Sequence, residues 1–372
     1  MQNDSIPLKV LLVAEGSGGH LIPALQVAKA LVRSGARIKV WYAQRQPIAA
    51  LATALSREAS DGGVEIDPIP VPSSRDVWGR LWRCGQLWSK ASRCFDTFAP
   101  DVVVGFGGWV SAPVVLAART RRIGCLLHEQ NVVLGRTNRW LARWVDQVAL
   151  SFGETQQQLP HREAVITGMP VREMIGQSRR AEAAASFGLD PQRLTLLVLG
   201  GSQGARAINW LICAALADCA SEERQGWQVV HIAGPADEDR MRQAYDASGI
   251  SAHVAAFVVN MEQAYALADV AVARAGASTV AELTRCGVPA IFIPYPHAGA
   301  HQRANAKLVE SVGGGICIEE SEATSERLLA SVRQFLGDAR LRQIMGQQLR
   351  TLHTTGAAER LRDAIVEIAR HR

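Results

Sequence analysis

The chain has 372 residues, 48% hydrophobic and 20% charged, with 32 Gly. That length suits two domains that each bury a core, and the composition is that of a globular α/β protein rather than a disordered or fibrous one. The net charge of +5 is uneven: residues 1–172 carry 20 Lys and Arg against 13 Asp and Glu, residues 173–372 carry 20 against 22, so the first half should meet the more anionic partner unless the excess serves solubility alone.

The seven Cys form no C-x-x-C pair and are odd in number. This pattern fits reduced thiols in a cytosol, not a disulfide or zinc framework. The N-terminus lacks a basic n-region, and the apolar stretch Val10–Ala14 is too short for a signal peptide or a membrane span. Two uncharged runs, Val102–Ala118 and Cys286–Gln302, carry internal Gly and Pro and read as strand–loop–helix.

Short apolar strands are predicted at Val10–Ala14, Arg37–Tyr42, Asp101–Gly105, Gly124–His128 and Asp146–Ser151, alternating with helix-length segments such as the amphipathic Pro23–Ser34. Such alternation predicts a parallel sheet with helices on both faces. The pattern restarts at Leu194–Leu199 and continues through Trp227–Ala233, His253–Phe257, Val270–Ala273 and Ala290–Ile293. V-L-L-V-A-E-G-S-G-G-H at 10–20 and L-L-V-L-G-G-S-Q-G-A at 196–205 each give a strand, a tight Gly turn and a helix. The expected fold is therefore α/β, two doubly wound Rossmann-like domains. The linker is placed near Thr167–Val171, giving domains 1–170 and 171–351, with the helical end of the chain, about 352–372, packing back on the first domain.

Gly16-Ser17-Gly18-Gly19-His20 closes the first strand. Glycines let main-chain N–H groups approach an anion, which the start of the next helix also favours. His20 stands at the mouth of the crevice, where an imidazole, with an ordinary pKa of ~6.5, can take a proton from an acceptor hydroxyl; a plain helix-capping His is the alternative. His128-Glu129-Gln130-Asn131 ends another strand with four polar residues able to hydrogen-bond sugar hydroxyls. It is not H-E-x-x-H, so zinc is not indicated.

Gly200-Gly201-Ser202-Gln203-Gly204 matches the G-x-S-x-G elbow of hydrolases, with Asp269 and His297 following in hydrolase order. Its glycines, hydroxyl and helix start suit phosphate binding better. Arg274-Ala-Gly-Ala-Ser-Thr-Val-Ala-Glu282 follows a strand and opens a helix; its small residues expose N–H groups to a diphosphate, and Glu282 can accept from both hydroxyls of a ribose. Pro294–Gln302 is a polar loop at a strand's C-terminal end. Asp237-Glu238-Asp239 resembles a D-x-D metal motif but falls where a helix begins, so acidic N-terminal capping is expected and no catalytic metal. Arg75–Arg93 holds Trp78, Trp82 and Trp88 with Arg80 and Arg83, and Arg136–Arg143 adds Trp140 and Trp144. Both fit an interfacial element on an anionic membrane; core packing of the Trp side chains is the alternative. No motif supports nucleic-acid binding.

Gly-Gly-His at 18–20, G-x-G-G-[aromatic]-x-S-x-P at 105–113, H-E-Q-N at 128–131, G-G-S-Q-G-A at 200–205, R-A-G-A-S-T-x-x-E at 274–282 and H-Q-x-x-N at 301–305 occur together and in order. Over about residues 8–350 the chain resembles the MurG family, the undecaprenyldiphospho-muramoylpentapeptide β-N-acetylglucosaminyltransferases of glycosyltransferase family 28. The resemblance implies a GT-B fold with the two domains facing across a cleft. It implies UDP-N-acetylglucosamine (UDP-GlcNAc) as donor and lipid I as acceptor, giving lipid II for peptidoglycan with inversion and without a metal or other cofactor. It further implies a cytoplasmic protein, peripheral on the inner face of an anionic membrane, with cell-wall synthesis proteins as further partners.

By position, the resemblance gives donor contacts to Ser17, Gly18, Gly19, Asn131, Arg172, Ser202, Val258, Ala277, Ser278, Thr279, Val280, Ala281, Glu282 and Gln302. Asn131 and Gln302 would touch the sugar, Glu282 the ribose, Ser202 the phosphates and the Val258 backbone the uracil. Gly18, Gly19, Gly107, Gly108 and Glu129 fall to the acceptor, His20 to the catalytic base, and the Trp78–Trp88 segment to the membrane patch. Four positions depart from the family: Glu15 stands where Gly is usual, Ser17 where Thr is usual with the hydroxyl kept, Trp109 where Tyr is usual, and Gly299 where an acidic residue is common. The alternatives are a UDP-N-acetylglucosamine 2-epimerase, a transferase using diacylglycerol, and a non-catalytic UDP-sugar-binding protein.

Overall fold

A computed structural model describes residues 7–16, 18–44, 64–70, 77–159, 164–201, 204–298 and 300–372. The chain divides into two compact units, Met1–Arg172 with Thr354–Arg372, and Glu173–His353.

The first unit runs β1 (Lys9–Glu15), α1 (Gly18–Arg33), β2 (Arg37–Gln44), β3 (Val64–Pro70), α2 (Val77–Thr97), β4 (Val102–Gly105), α3 (Ser111–Thr120), β5 (Gly124–Glu129), α4 (Arg136–Leu141), β6 (Gln147–Leu150) and β7 (Ala164–Ile166). All pairs are parallel, in the order β3-β2-β1-β4-β5-β6-β7. Strands covered on both faces must be apolar where they are covered, and β1 is so from Val10 to Ala14 and β4 from Val102 to Gly105. The period of two sends Leu11, Val13 and Val103 to the face covered by Leu87, Ala91 and Phe95 of α2 and Val114 of α3. Val10, Leu12 and Val104 point the other way, onto Leu21, Leu25 and Leu31 of α1.

The second unit runs α5 (Arg180–Phe187), β8 (Leu194–Leu199), α6 (Arg206–Ala217), α7 (Ser221–Gly226), β9 (Trp227–Ile232), α8 (Glu238–Ser248), β10 (Ser251–Ala255), α9 (Met261–Leu267), β11 (Val270–Ala273), α10 (Ala277–Cys286), β12 (Ala290–Phe292), α11 (His301–Ser311), β13 (Gly315–Cys317), α12 (Ser325–Gly337) and α13 (Ala339–Thr351). Its sheet is also parallel, β10-β9-β8-β11-β12-β13. The last helix, α14 (Ala357–Arg370), returns to the first unit, where Leu361, Ala364, Ile365 and Ile368 are buried beside β1 and α1. Each large aliphatic side chain buried there contributes about 1.5–3 kcal/mol. Gly124 makes room for it: a Cβ at 124 would stand 2.7 Å from Ile368 Cγ2.

Three strands depart from expectation. β10 starts and ends two residues before His253–Phe257. β3, V-E-I-D-P-I-P, is an edge strand whose charges and prolines hide the apolar signal, and an edge is where Pro is tolerated. β13 is three residues long at the opposite edge of its sheet.

Candidate active site

Both sheets share one winding scheme, so each has one place where successive connections depart in opposite directions: between β1 and β4, and between β8 and β11. There the loops leaving adjacent carboxyl ends diverge and open a crevice. The glycine-rich segments of the sequence lie at these two places.

In the first unit, the Phe106 N–H donates to Val13 O at 2.8 Å and brings the ends of β1 and β4 level. Gly107 and Gly108 follow with φ of +87° and +77°, which favours glycine at both. His20, in the first turn of α1, lies against them: a Cβ at 107 would be 3.2 Å from its Cε1. Its Nδ1 is 2.6 Å from Phe106 O. A carbonyl only accepts, so Nδ1 carries the proton and donates it, and Nε2 is left as the basic nitrogen. The same carbonyl accepts from Gln130 Nε2 at 3.0 Å. Behind it, His128 is fully buried, and loss of hydration lowers its pKa to about 4, so it is neutral. Its Nδ1 accepts from Gln130 Nε2 at 3.1 Å while its Nε2 donates to Gly168 O at 3.2 Å.

The four polar residues at 128–131 are thus divided, which corrects the expectation that they form one ligand-facing set. His128, Glu129 and Gln130 are buried, and Asn131 is half-buried. Glu129 Oε1 accepts from the Asn131 N–H and Nδ2, and Oε2 from the Gly135 N–H at 2.9 Å and Asn138 Nδ2 at 2.8 Å. A carboxylate with four internal donors holds the 131–138 loop and is not presented to an acceptor. Glu15, at the end of β1, packs on Gly108: a Cβ at 108 would be 2.6 Å from its Oε2. Arg172 is half-buried at the end of the unit.

In the second unit, Gly200 and Gly204 pinch the turn after β8. A Cβ at 200 would be 2.2 Å from Ala205 N, and one at 204 would be 2.3 Å from Ala233 O. Beside it, the Arg274 N–H donates to Leu199 O, and α10 starts at Ala277 with Gly276 as its N-cap. Ala277, Val280, Ala281 and Glu282 are buried, Ser278 and Thr279 half-buried. Glu282 Oε2 accepts from the Tyr265 hydroxyl at 2.8 Å. Asn305 Nδ2 donates to Ala275 O and Arg274 Nη1 to Ile293 O, tying the loop before α10 to α11 and to the end of β12. Gln302 Oε1 accepts from the Tyr295 N–H at 2.9 Å. Val258 is half-buried in the loop between β10 and α9. Ser17, Ser202 and Gly299 lie outside the described residues.

The structure places Asp269 and Asp237 away from the roles weighed for them, and for Asp237 it corrects the expectation of side-chain capping. Asp269 accepts from the Thr195 N–H and Arg180 Nη2, both at 2.8 Å, at the start of β8. The glycine turn follows the other end of that strand, about 20 Å away at ~3.3 Å per residue, so Asp269 is placed as an anchor of β8 and not beside that turn. Asp237 stands at the N-cap position of α8 but caps nothing with its side chain; instead its Oδ2 accepts from Asn209 Nδ2 at 2.9 Å inside the unit.

On α2, Trp82 is 64% exposed and Trp88 38%. Arg83 is buried, a correction to its place in a surface patch: with Leu87 and Ala91 it forms the i, i+4, i+8 stripe that faces the sheet. The side chains of Trp78 and Arg80 lie outside the described residues. Trp140 and Trp144 are each 45% exposed, near the exposed Arg139 and Arg143. No helix among the described residues is long and apolar enough to cross a membrane.

Sequence patterns missed the supporting groups: the Phe106 carbonyl, Asn138, Tyr265 and Asn209. Each acts from another element, and only Gln130, inside the polar quartet, carried a local signal.

The model of the glycosyltransferase family 28 N-terminal domain matches residues 10–150, and that of the family 28 C-terminal domain matches residues 195–362. The chain is 36% identical over 367 residues to a UDP-N-acetylglucosamine--N-acetylmuramyl-(pentapeptide) pyrophosphoryl-undecaprenol N-acetylglucosamine transferase of Nocardioides sp., covering 97% of this chain and 98% of that protein. It is 37% identical to the protein of that name from Nitrosococcus oceani, covering 97% and 99%. Among solved structures, Acinetobacter baumannii MurG superposes with a TM-score of 0.76 at 29% identity, over 97% of this chain and all of that one. A UDP-N-acetylglucosamine 2-epimerase from Listeria monocytogenes shares the fold, with a TM-score of 0.72 at 12% identity, over 96% and 95%.

Proposed function

This chain belongs to glycosyltransferase family 28, and from that membership we propose that it transfers N-acetylglucosamine from UDP-GlcNAc to the muramoyl O4 of lipid I, giving lipid II. The observation that carries the chemistry is the imidazole of His20, held by Phe106 O with Nε2 as its basic nitrogen beside two glycines of positive φ.

In this reading the first unit takes the acceptor. The main chain at Gly18, Gly19, Gly107 and Gly108 faces its diphosphate, and His20 Nε2 receives the O4 proton, directly or through a water. The second unit takes the donor. Main-chain N–H groups at the starts of α6 and α10 stabilise the negative charge that grows on the UDP leaving group. Glu282 accepts from the ribose, the Val258 main chain meets the uracil, and Asn131 and Gln302 meet the sugar. The transfer is one displacement: O4 attacks the anomeric carbon as the bond to the diphosphate oxygen breaks, so configuration inverts. Trp82 and Trp88, on the half with the positive excess, support docking on an anionic membrane surface from the cytoplasmic side.

The experiment is transfer of radiolabelled N-acetylglucosamine to a short-chain lipid I analogue. A disaccharide product that forms with lipid I and not with diacylglycerol is expected. Turnover of UDP-GlcNAc without any acceptor would point to an epimerase, and binding without turnover to a carrier.

A further inference from the structure

We infer that Tyr265 is a positioning residue for ribose recognition: its hydroxyl holds the Glu282 carboxylate in the orientation that tells a ribonucleotide from a deoxyribonucleotide. The inference rests on the proposed contact of Glu282 with the ribose and adds the residue that makes the contact selective.

Glu282 is buried to 5% exposure on α10, a helix whose inward positions Val280, Ala281 and Leu283 are apolar. An ionised carboxylate in such surroundings is costly unless donors meet it. Tyr265 supplies one. It sits on α9 at 2% exposure, and its hydroxyl donates to Glu282 Oε2 at 2.8 Å. The bond anchors Oε2 and restrains the orientation in which the carboxylate meets a ligand. Cys286, one turn further along α10, has its thiol pKa pushed up to about 12 by burial first and by the Glu282 charge second. The thiol therefore stays neutral beside the carboxylate.

A carboxylate that is only buried would meet the sugar in several rotamers and discriminate poorly. One held by a phenol meets vicinal hydroxyls with a fixed pair of lone pairs, and an analogue lacking a hydroxyl leaves a buried acceptor unmatched. Sites built in this way reject the deficient analogue strongly, because the unpaired group bears the full cost of desolvation.

Tyr265→Phe removes one oxygen and keeps the ring in the core. The test is calorimetric titration of the full-length protein with UDP, 2′-deoxy-UDP and 3′-deoxy-UDP, in the wild type, in Tyr265→Phe and in Glu282→Ala. Tyr265→Phe is expected to weaken UDP five- to tenfold while changing the deoxy analogues less than twofold, so that discrimination shrinks. Equal weakening of all three ligands would reduce Tyr265 to a packing role and overturn the inference, as would unchanged discrimination in Tyr265→Phe where Glu282→Ala has lost it. If Glu282→Ala keeps full discrimination, the ribose assignment of Glu282 itself fails, and the role of Tyr265 fails with it. A thermal melt of each variant separates a lost contact from a lost fold.

Discussion

His20 Nδ1 lies 2.6 Å from the carbonyl oxygen of Phe106, an atom that is itself held by Gln130 Nε2 at 3.0 Å. A main-chain carbonyl cannot titrate, so the imidazole is oriented by a neutral acceptor, and Nε2 is the nitrogen turned away from it. His20→Ala should lower turnover by ~10²–10⁴-fold with UDP-GlcNAc binding retained. Transfer kinetics beside a binding titration check this, and a variant at near wild-type rate would remove His20 from the base role.

Gln130 anchors the acceptor carbonyl, not the substrate. Gln130→Leu should therefore lower kcat about tenfold or more with little effect on the KM for UDP-GlcNAc, because the imidazole loses its fixed seat while the second unit is untouched. Steady-state kinetics separate the two; a change confined to the donor KM would contradict the placement.

Two buried histidines set the acid limit of stability. His128 and His231 both have pKa values lowered to about 4, chiefly by burial, against an ordinary value of ~6.5 in the unfolded chain. Below pH ~6.5 the unfolded state binds protons that the folded state refuses until pH 4. Their contribution to stability is thus complete above pH ~6.5 and is lost as the pH falls toward 4. At pH 5 each costs roughly 2 kcal/mol. Urea unfolding at pH 7 and pH 5 should show this loss. His231→Gln should reduce it, since an amide can bond to Asn209 and the Tyr245 hydroxyl, the present partners of the ring at 3.0 and 2.9 Å, without titrating.

The two glycines of the second turn make a controlled comparison. Gly201 and Gly204 both have positive φ, at +84° and +76°, but among the described residues a Cβ at 201 meets nothing within 4 Å, whereas one at 204 falls 2.3 Å from Ala233 O. Gly201→Ala should cost only the left-handed backbone penalty, about 1 kcal/mol. Gly204→Ala must also push the start of α6 off the end of β9, with a larger loss of stability and weaker UDP binding. Chemical denaturation and a UDP titration on the pair test this, and equal costs would mean that the turn yields freely.

What could be read from the sequence follows from what is local. β1 between its terminal charges, β4, and β8 from Leu196 onward are apolar runs because both sheet faces are covered, and the glycine turns announce themselves by composition. The edge strand β3 was hidden by Glu65, Asp67 and two prolines. The burial of Glu129 and Arg83 was hidden for another reason: charge suggests a surface, and only the helical stripe beneath Arg83 or the four donors around Glu129 reveal otherwise. Tyr265 stands 17 positions before its partner on a different helix, a pairing that exists only once α9 and α10 pack.

Glu15 is the remaining anomaly of the first turn. Its side chain packs on Gly108, within the glycine cluster proposed to face the acceptor diphosphate. A carboxylate there repels that anion: at an effective dielectric near 20, two unit charges 8 Å apart interact by about 2 kcal/mol, and salt reduces this. Glu15→Gln keeps the shape and removes the charge. It should lower the KM for a lipid I analogue several-fold at low ionic strength, leave the KM for UDP-GlcNAc unchanged, and lose its advantage as salt is raised. Acceptor kinetics at two salt concentrations decide the matter. An unchanged acceptor KM at low salt would mean that the diphosphate does not sit over Gly108, and the assignment of Gly107 and Gly108 to the acceptor would fall with it.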